Sequence, residues 1–133
     1  MIVVDTNVLA YLLLLGPRTE KAEILRRQER QWAAPLLWRS EFRNVLTGYL
    51  RRDLLDLSRA VALMEVAELI LAPHEERVST EHVLQLVSTS RCTSYDCEFV
   101  AAAQQLGVPL ITEDRALLAA FPEVAQSLDQ ATS

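Results

Sequence analysis

Apolar residues in this chain follow two rhythms. Unbroken runs, Met1 to Val4 and Val108 to Ile111, read as buried parallel strands, because a strand covered on both faces has no polar side to show. Weaker strands are expected from Gln31 to Ala34, closed by Pro35, and around Ala125 to Leu128. Elsewhere the apolar positions recur at helical spacing. Thr6 to Leu14 is one such stretch, stopped at Gly16-Pro17. Thr19 is placed to cap a second, running to about Arg30 with Ala22 and Leu25 facing inward. Leu37, Trp38, Phe42, Val45, Leu46, Tyr49 and Leu50 predict a helix from Leu36 to about Arg51. Ser58 is expected to cap Arg59 to Leu71, and Ser79-Thr80 to precede Glu81 to Ser88. Ser94 is expected to cap a helix to Leu106, with Gly107 as its left-handed C-terminal residue. Asp114 begins a short helix, Arg115 to Ala120, stopped near Pro122.

Strands alternating with helices imply an α/β fold: a short central parallel β-sheet flanked by helices on both faces. The length of 133 residues fits one domain, 1–133. In such folds the ligand crevice lies at the carboxyl ends of the strands. Asp5 and Asp114 fall at two such ends, Asp96 in the first turn of a helix entering from the same edge, and Glu41 one turn into the helix after the strand closed by Pro35. All four can converge on one edge.

Each acid has a plainer explanation. Asp5 and Asp114 suit helix N-caps, and Asp96 suits a first turn favoured by the helix dipole. Glu41 lies mid-helix beside the apolar stripe, where capping cannot explain it, although a salt bridge to Arg39, Arg43 or a distant arginine could. The plain explanations must hold independently at every position, so the set is more specific than any member. Thr6, Asn7, Ser40 and Thr112 stand beside the acids and could orient them.

Composition narrows the chemistry. Half the residues are apolar, enough for a real core, and three glycines and five prolines argue against a disordered or fibrous chain. No run spans a bilayer, and Val8 to Leu15 lacks the basic lead of a signal peptide. No membrane association is expected. Cys92 and Cys97 match no zinc or redox spacing, and free thiols suggest a reducing, cytoplasmic setting. The net charge of −5 does not advertise nucleic-acid binding, yet Lys21 is the only lysine among thirteen basic residues. Arginine binds phosphate bidentately, though coding bias also enriches it.

Val3-Val4-Asp5-Thr6-Asn7-Val8-Leu9 resembles the opening strand and turn of PIN-domain ribonucleases. Ser40-Glu41-Phe42-Arg43-Asn44-Val45-Leu46, Ser94-Tyr95-Asp96-Cys97-Glu98-Phe99-Val100-Ala101-Ala102-Ala103 and Leu110-Ile111-Thr112-Glu113-Asp114 resemble their second, third and fourth motifs. Order, spacing and total length agree with the VapC-type toxins of toxin–antitoxin pairs. The resemblance implies a PIN-like domain acting as a metal-dependent endoribonuclease on structured cellular RNA, in which Asp5, Glu41, Asp96 and Asp114 hold Mg²⁺ or Mn²⁺. It also implies a homodimer neutralised by a cognate antitoxin protein. Some relatives carry a further acid two residues after the fourth-motif Asp, where this chain has Ala116, leaving a second ion less well supplied.

Oxygen-only ligands select Mg²⁺ or Mn²⁺ over zinc. Asp5 and Asp96 are expected to bind the main ion, Asp114 directly or through water, and Glu41 a second ion or the attacking water. Glu98 lies roughly 200° around its helix from Asp96 and is left out. Arg39, Arg43 and Arg115 flank the acids and are the RNA-phosphate candidates; Tyr95 and Trp38 are stacking candidates, Trp38 fitting the core better. The Leu-rich helices between Leu36 and Leu71 carry apolar surface suited to a second copy or an antitoxin.

Two other classes remain. One is a catalytically weak or inactive PIN-like binding module, to which Ala116 lends weight. The other is a haloacid-dehalogenase-type phosphotransferase using Asp5 as nucleophile; it wants a second Asp where Asn7 stands and a late lysine that the chain lacks.

Overall fold

The computed structural model describes residues 1–133. Five parallel strands, β1 (Ile2–Val4), β2 (Trp32–Pro35), β3 (Glu75–Glu76), β4 (Leu110–Ile111) and β5 (Ala125–Gln126), lie in the order β3-β2-β1-β4-β5. The chain builds outward from β1 in one direction and then the other, so the order reverses between β1 and β4. Their register pairs Val3 with Leu110 and Val4 with Ile111. Such a switch point leaves a crevice past the strand carboxyl ends.

Eight helices connect and flank the strands: α1 (Thr6–Leu13), α2 (Thr19–Gln28), α3 (Trp38–Arg51), α4 (Leu57–Leu71), α5 (Thr80–Ser88), α6 (Ser94–Leu106), α7 (Arg115–Ala120) and α8 (Leu128–Thr132). Consecutive strand residues point to opposite faces. Val3 and Val4 are both buried, as are Leu110 and Ile111, so both faces of the sheet are covered. Trp32, Trp38, Phe42 and Phe99 fill the core around them. None of the helices is long and apolar enough to cross a membrane.

The expected strands Met1 to Val4, Gln31 to Ala34 and Val108 to Ile111 are present, with boundaries moved by one or two residues. Gly107 takes the left-handed conformation, φ 68°. Several details differ. Thr93, not Ser94, caps α6 by accepting the Asp96 N–H, and Asp56, not Ser58, caps α4. The tail beyond Gln126 turns into α8 behind a Ser127 capping box instead of continuing as a strand. β3 carries no apolar signal. Glu75 pairs with Ala34 of β2, and its carboxylate accepts from Trp38 Nε1 at 2.9 Å and from Arg39 Nε and Nη2 at 2.7 and 3.0 Å. The clamp fastens the edge strand to α3.

Candidate active site

The four acids expected to converge do so. Asp5, Glu41, Asp96 and Asp114 line one polar pocket of about 230 Å³, with Thr6, Asn7, Asn44 and Val45 completing its wall. The pocket lies past the carboxyl ends of β1 and β4, where the strand order reverses.

Each acid is held by its own element. Asp5 extends β1 by donating its backbone N–H to Ile111 O at 3.0 Å. It occupies the N-cap position of α1, yet its side chain makes no capping bond. Its Oδ2 instead accepts the Thr112 hydroxyl at 2.7 Å. Capping therefore does not account for Asp5. Glu41 sits in the first turn of α3, and its Oε1 accepts the Thr6 hydroxyl at 2.7 Å. Asp96 lies in the first turn of α6. Asp114 does cap its helix, since Oδ1 accepts the Leu117 N–H at 3.1 Å. That bond uses one carboxylate oxygen and leaves the other for the pocket.

The electrostatics are those of clustered like charges. Burial pushes the Asp5 carboxyl above its ordinary value, the Thr112 bond opposes that, and Asp96 and Asp114 push it further. Burial also raises Glu41, with Thr6 opposing and Asp5 and Asp96 adding. Asp96 is raised by burial and then by Asp114. No basic side chain lines the pocket. Carboxylates, amides and a hydroxyl without a cation form a donor set suited to a hard divalent ion. No three of the acids are already gathered into a metal-holding group.

The neighbouring polar residues divide. Thr6 and Thr112 are buried and bonded to acids as described, and the Thr112 hydroxyl also accepts the Asp114 N–H at 3.0 Å. Asn7 lines the pocket, whereas Ser40 is exposed and outside it. Arg43 and Arg115 are exposed and outside the lining. Arg39 is occupied elsewhere: besides Glu75 it binds Glu68 at 2.9 Å, and its guanidinium stacks on the fully buried Trp38 ring. Five donors in a fixed fork cannot serve two carboxylates and a phosphate equally well, so its part is structural. Trp38 is core, and Tyr95 is exposed.

Asn44 escaped sequence reading as a pocket residue. The signal was present, because it follows Glu41 by three residues and so shares its helix face. Arg18 also escaped it; this residue is ion-paired with Glu113 next to Asp114. A pairing across 95 residues of sequence leaves no local signature.

A family model described as PIN domain matches residues 2–124. The fold is similar to that of the crystal structure of FitAcB from Neisseria gonorrhoeae, with a TM-score of 0.75 and 18% identity over 96% of this chain and 98% of the other. It is also similar to PAE2754 from Pyrobaculum aerophilum, with a TM-score of 0.72 and 21% identity over 96% of this chain and 90% of the other. No curated protein matches the chain.

Proposed function

The chain belongs to the PIN-domain family, and from that premise we propose that residues 1–133 form a Mg²⁺- or Mn²⁺-dependent endoribonuclease domain. One observation carries the proposal: four carboxylates from four separate elements line a single pocket with no cationic side chain among them. A fold accepts uncompensated, partly buried acids at a cost, and a bound divalent cation removes that cost.

Asp5 and Asp96 are the main ligands, joined by Asp114 through the oxygen not used in capping. Glu41, oriented by Thr6, holds a second ion or positions the attacking water. Thr112 ties Asp5 to Asp114, as groups that orient metal ligands do. A divalent cation, when bound there, supplies Lewis acidity at the scissile phosphate. The substrate class is RNA with unpaired, accessible bases.

The chain acts as the VapC-type toxin of a toxin–antitoxin pair in the cytoplasm, as a homodimer restrained by a cognate antitoxin. Leu54, Leu57 and Leu69 remain exposed at 60, 71 and 78% on or beside α4, which supports a partner surface there. A second reading, an inactive binding module, is favoured by the absence of an assembled metal-holding trio and by Ala116.

Cleavage of total RNA by the purified protein in Mg²⁺, Mn²⁺ or EDTA, beside Asp5→Asn, decides between them. Metal-dependent bands missing in the variant support the nuclease. No cleavage, with no metal binding by calorimetry, supports the binding module.

A further inference from the structure

Asn7 and Val45 form part of the wall of the acidic pocket. Both residues also line a second cavity of about 330 Å³, whose wall includes Tyr11, Tyr49 and Arg18 and no acidic residue. Helix α1, which follows Asp5, and helix α3, which carries Glu41, both contribute to its wall. On α1, Tyr11 follows Asn7 by four residues; on α3, Val45 and Tyr49 follow Glu41 by four and eight. Each step of four is about 6 Å along one helix face. A line of side chains therefore runs from the acids to two tyrosines.

Both phenol rings are half-buried and packed against the core, and so are held in place. The Arg52 guanidinium lies over the Tyr49 ring, 5.1 Å from its centre. Arg18, about half exposed, lines the same groove and is ion-paired with Glu113. Packed aromatic rings with arginines nearby, next to the acidic pocket and sharing two of its wall residues, match the stacking platforms that hold single-stranded nucleic acid.

We propose that this groove is a nucleotide subsite: an unpaired RNA base next to the scissile phosphate stacks against Tyr11 and Tyr49, and its own phosphate meets Arg18. The inference rests on the nuclease function proposed above. It assigns base recognition to tyrosines two turns of helix from the acids, and not to Tyr95.

The test is fluorescence anisotropy with single-stranded RNA decamers and abasic decamers of equal length, using Asp5→Asn protein so that nothing is cut. Base-containing decamers should bind about fivefold or more tighter than abasic ones. Tyr49→Leu and Tyr11→Leu should erase most of that preference, and Tyr49→Trp should keep it. Arg18→Gln should weaken both decamers alike and lower the salt slope by about one. Equal affinity for the two decamers, no binding of either, or a preference that survives both leucine variants would overturn the subsite and leave the groove to a protein partner. Loss of RNA cleavage by the unsubstituted protein in Mg²⁺ would instead refute the nuclease function. The two failures are distinct, because base preference is read without turnover.

Discussion

Thr112 donates its hydroxyl to Asp5 Oδ2 at 2.7 Å from a position 107 residues further along the chain, and the same oxygen accepts the Asp114 N–H. One buried hydroxyl thus sets the spacing of two acids at the strand switch point. Thr112→Val keeps the shape and removes the bond. Metal affinity, measured by calorimetry, should fall about tenfold or more, as for other groups that orient ligands. Asp5 should also hold its proton to higher pH, because the interaction that opposes burial is gone. The acidic limb of the pH–rate profile should move up. An unchanged profile and affinity would show that Thr112 only packs.

The raised carboxyls make a prediction about stability. A group whose folded pKa exceeds its unfolded one stabilises the fold below its ordinary value, and that contribution is lost as pH rises through the raised value. For Asp5 and Glu41 the window opens at their ordinary values of 3.8 and 4.5 and extends upward. Glu75 acts in the opposite sense, since Arg39 lowers it and its stabilisation fades as pH falls. Comparison with Asp5→Asn isolates the pocket. In EDTA the variant should melt above the parent at pH 7, and the gap should close toward pH 4. Mg²⁺ should raise the parent's Tm more than the variant's. A variant less stable at pH 7 without metal would contradict this.

Asp114 has two duties that substitution can separate. Asp114→Asn retains an N-cap acceptor for the Leu117 N–H and removes the charge, whereas Asp114→Ala removes both. The Asn variant should keep parental stability and lose activity. The Ala variant should lose activity and about 1 kcal/mol besides, the usual worth of a cap. Equal stability of the two in urea denaturation would mean that the cap contributes nothing.

Arg39 and Glu75 form the clamp between α3 and β3. Glu75→Leu leaves the Trp38 Nε1 buried without a partner and frees Arg39. The cost should be about 1–3 kcal/mol in chemical denaturation. Arg39→Gln should cost stability too, while leaving the salt dependence of RNA binding unchanged. A lower salt slope would return Arg39 to phosphate contact.

The apolar rhythm determined the strands at Met1 to Val4 and Val108 to Ile111 and most helices, because burial on both faces requires continuous apolar runs. The order of Asp5, Glu41, Asp96 and Asp114 along those elements already indicated one site, since strand ends in a parallel sheet share an edge. Tertiary structure alone decided the rest. Glu75 pairs with Ala34 of β2, and its carboxylate is held by Trp38 and Arg39, 37 and 36 residues away, so nothing local marks β3 as a strand. Arg39 looked free beside Glu41 until the fold supplied its carboxylates. Asp5 and Asp114 both suited caps in the sequence; only Asp114 makes the capping bond, and the Asp5 carboxylate takes the Thr112 hydroxyl instead. The groove past Tyr11 and Tyr49 likewise exists only where α1 and α3 pack side by side. Periodicity reports which side of an element is buried; what that side touches depends on residues far off in the chain.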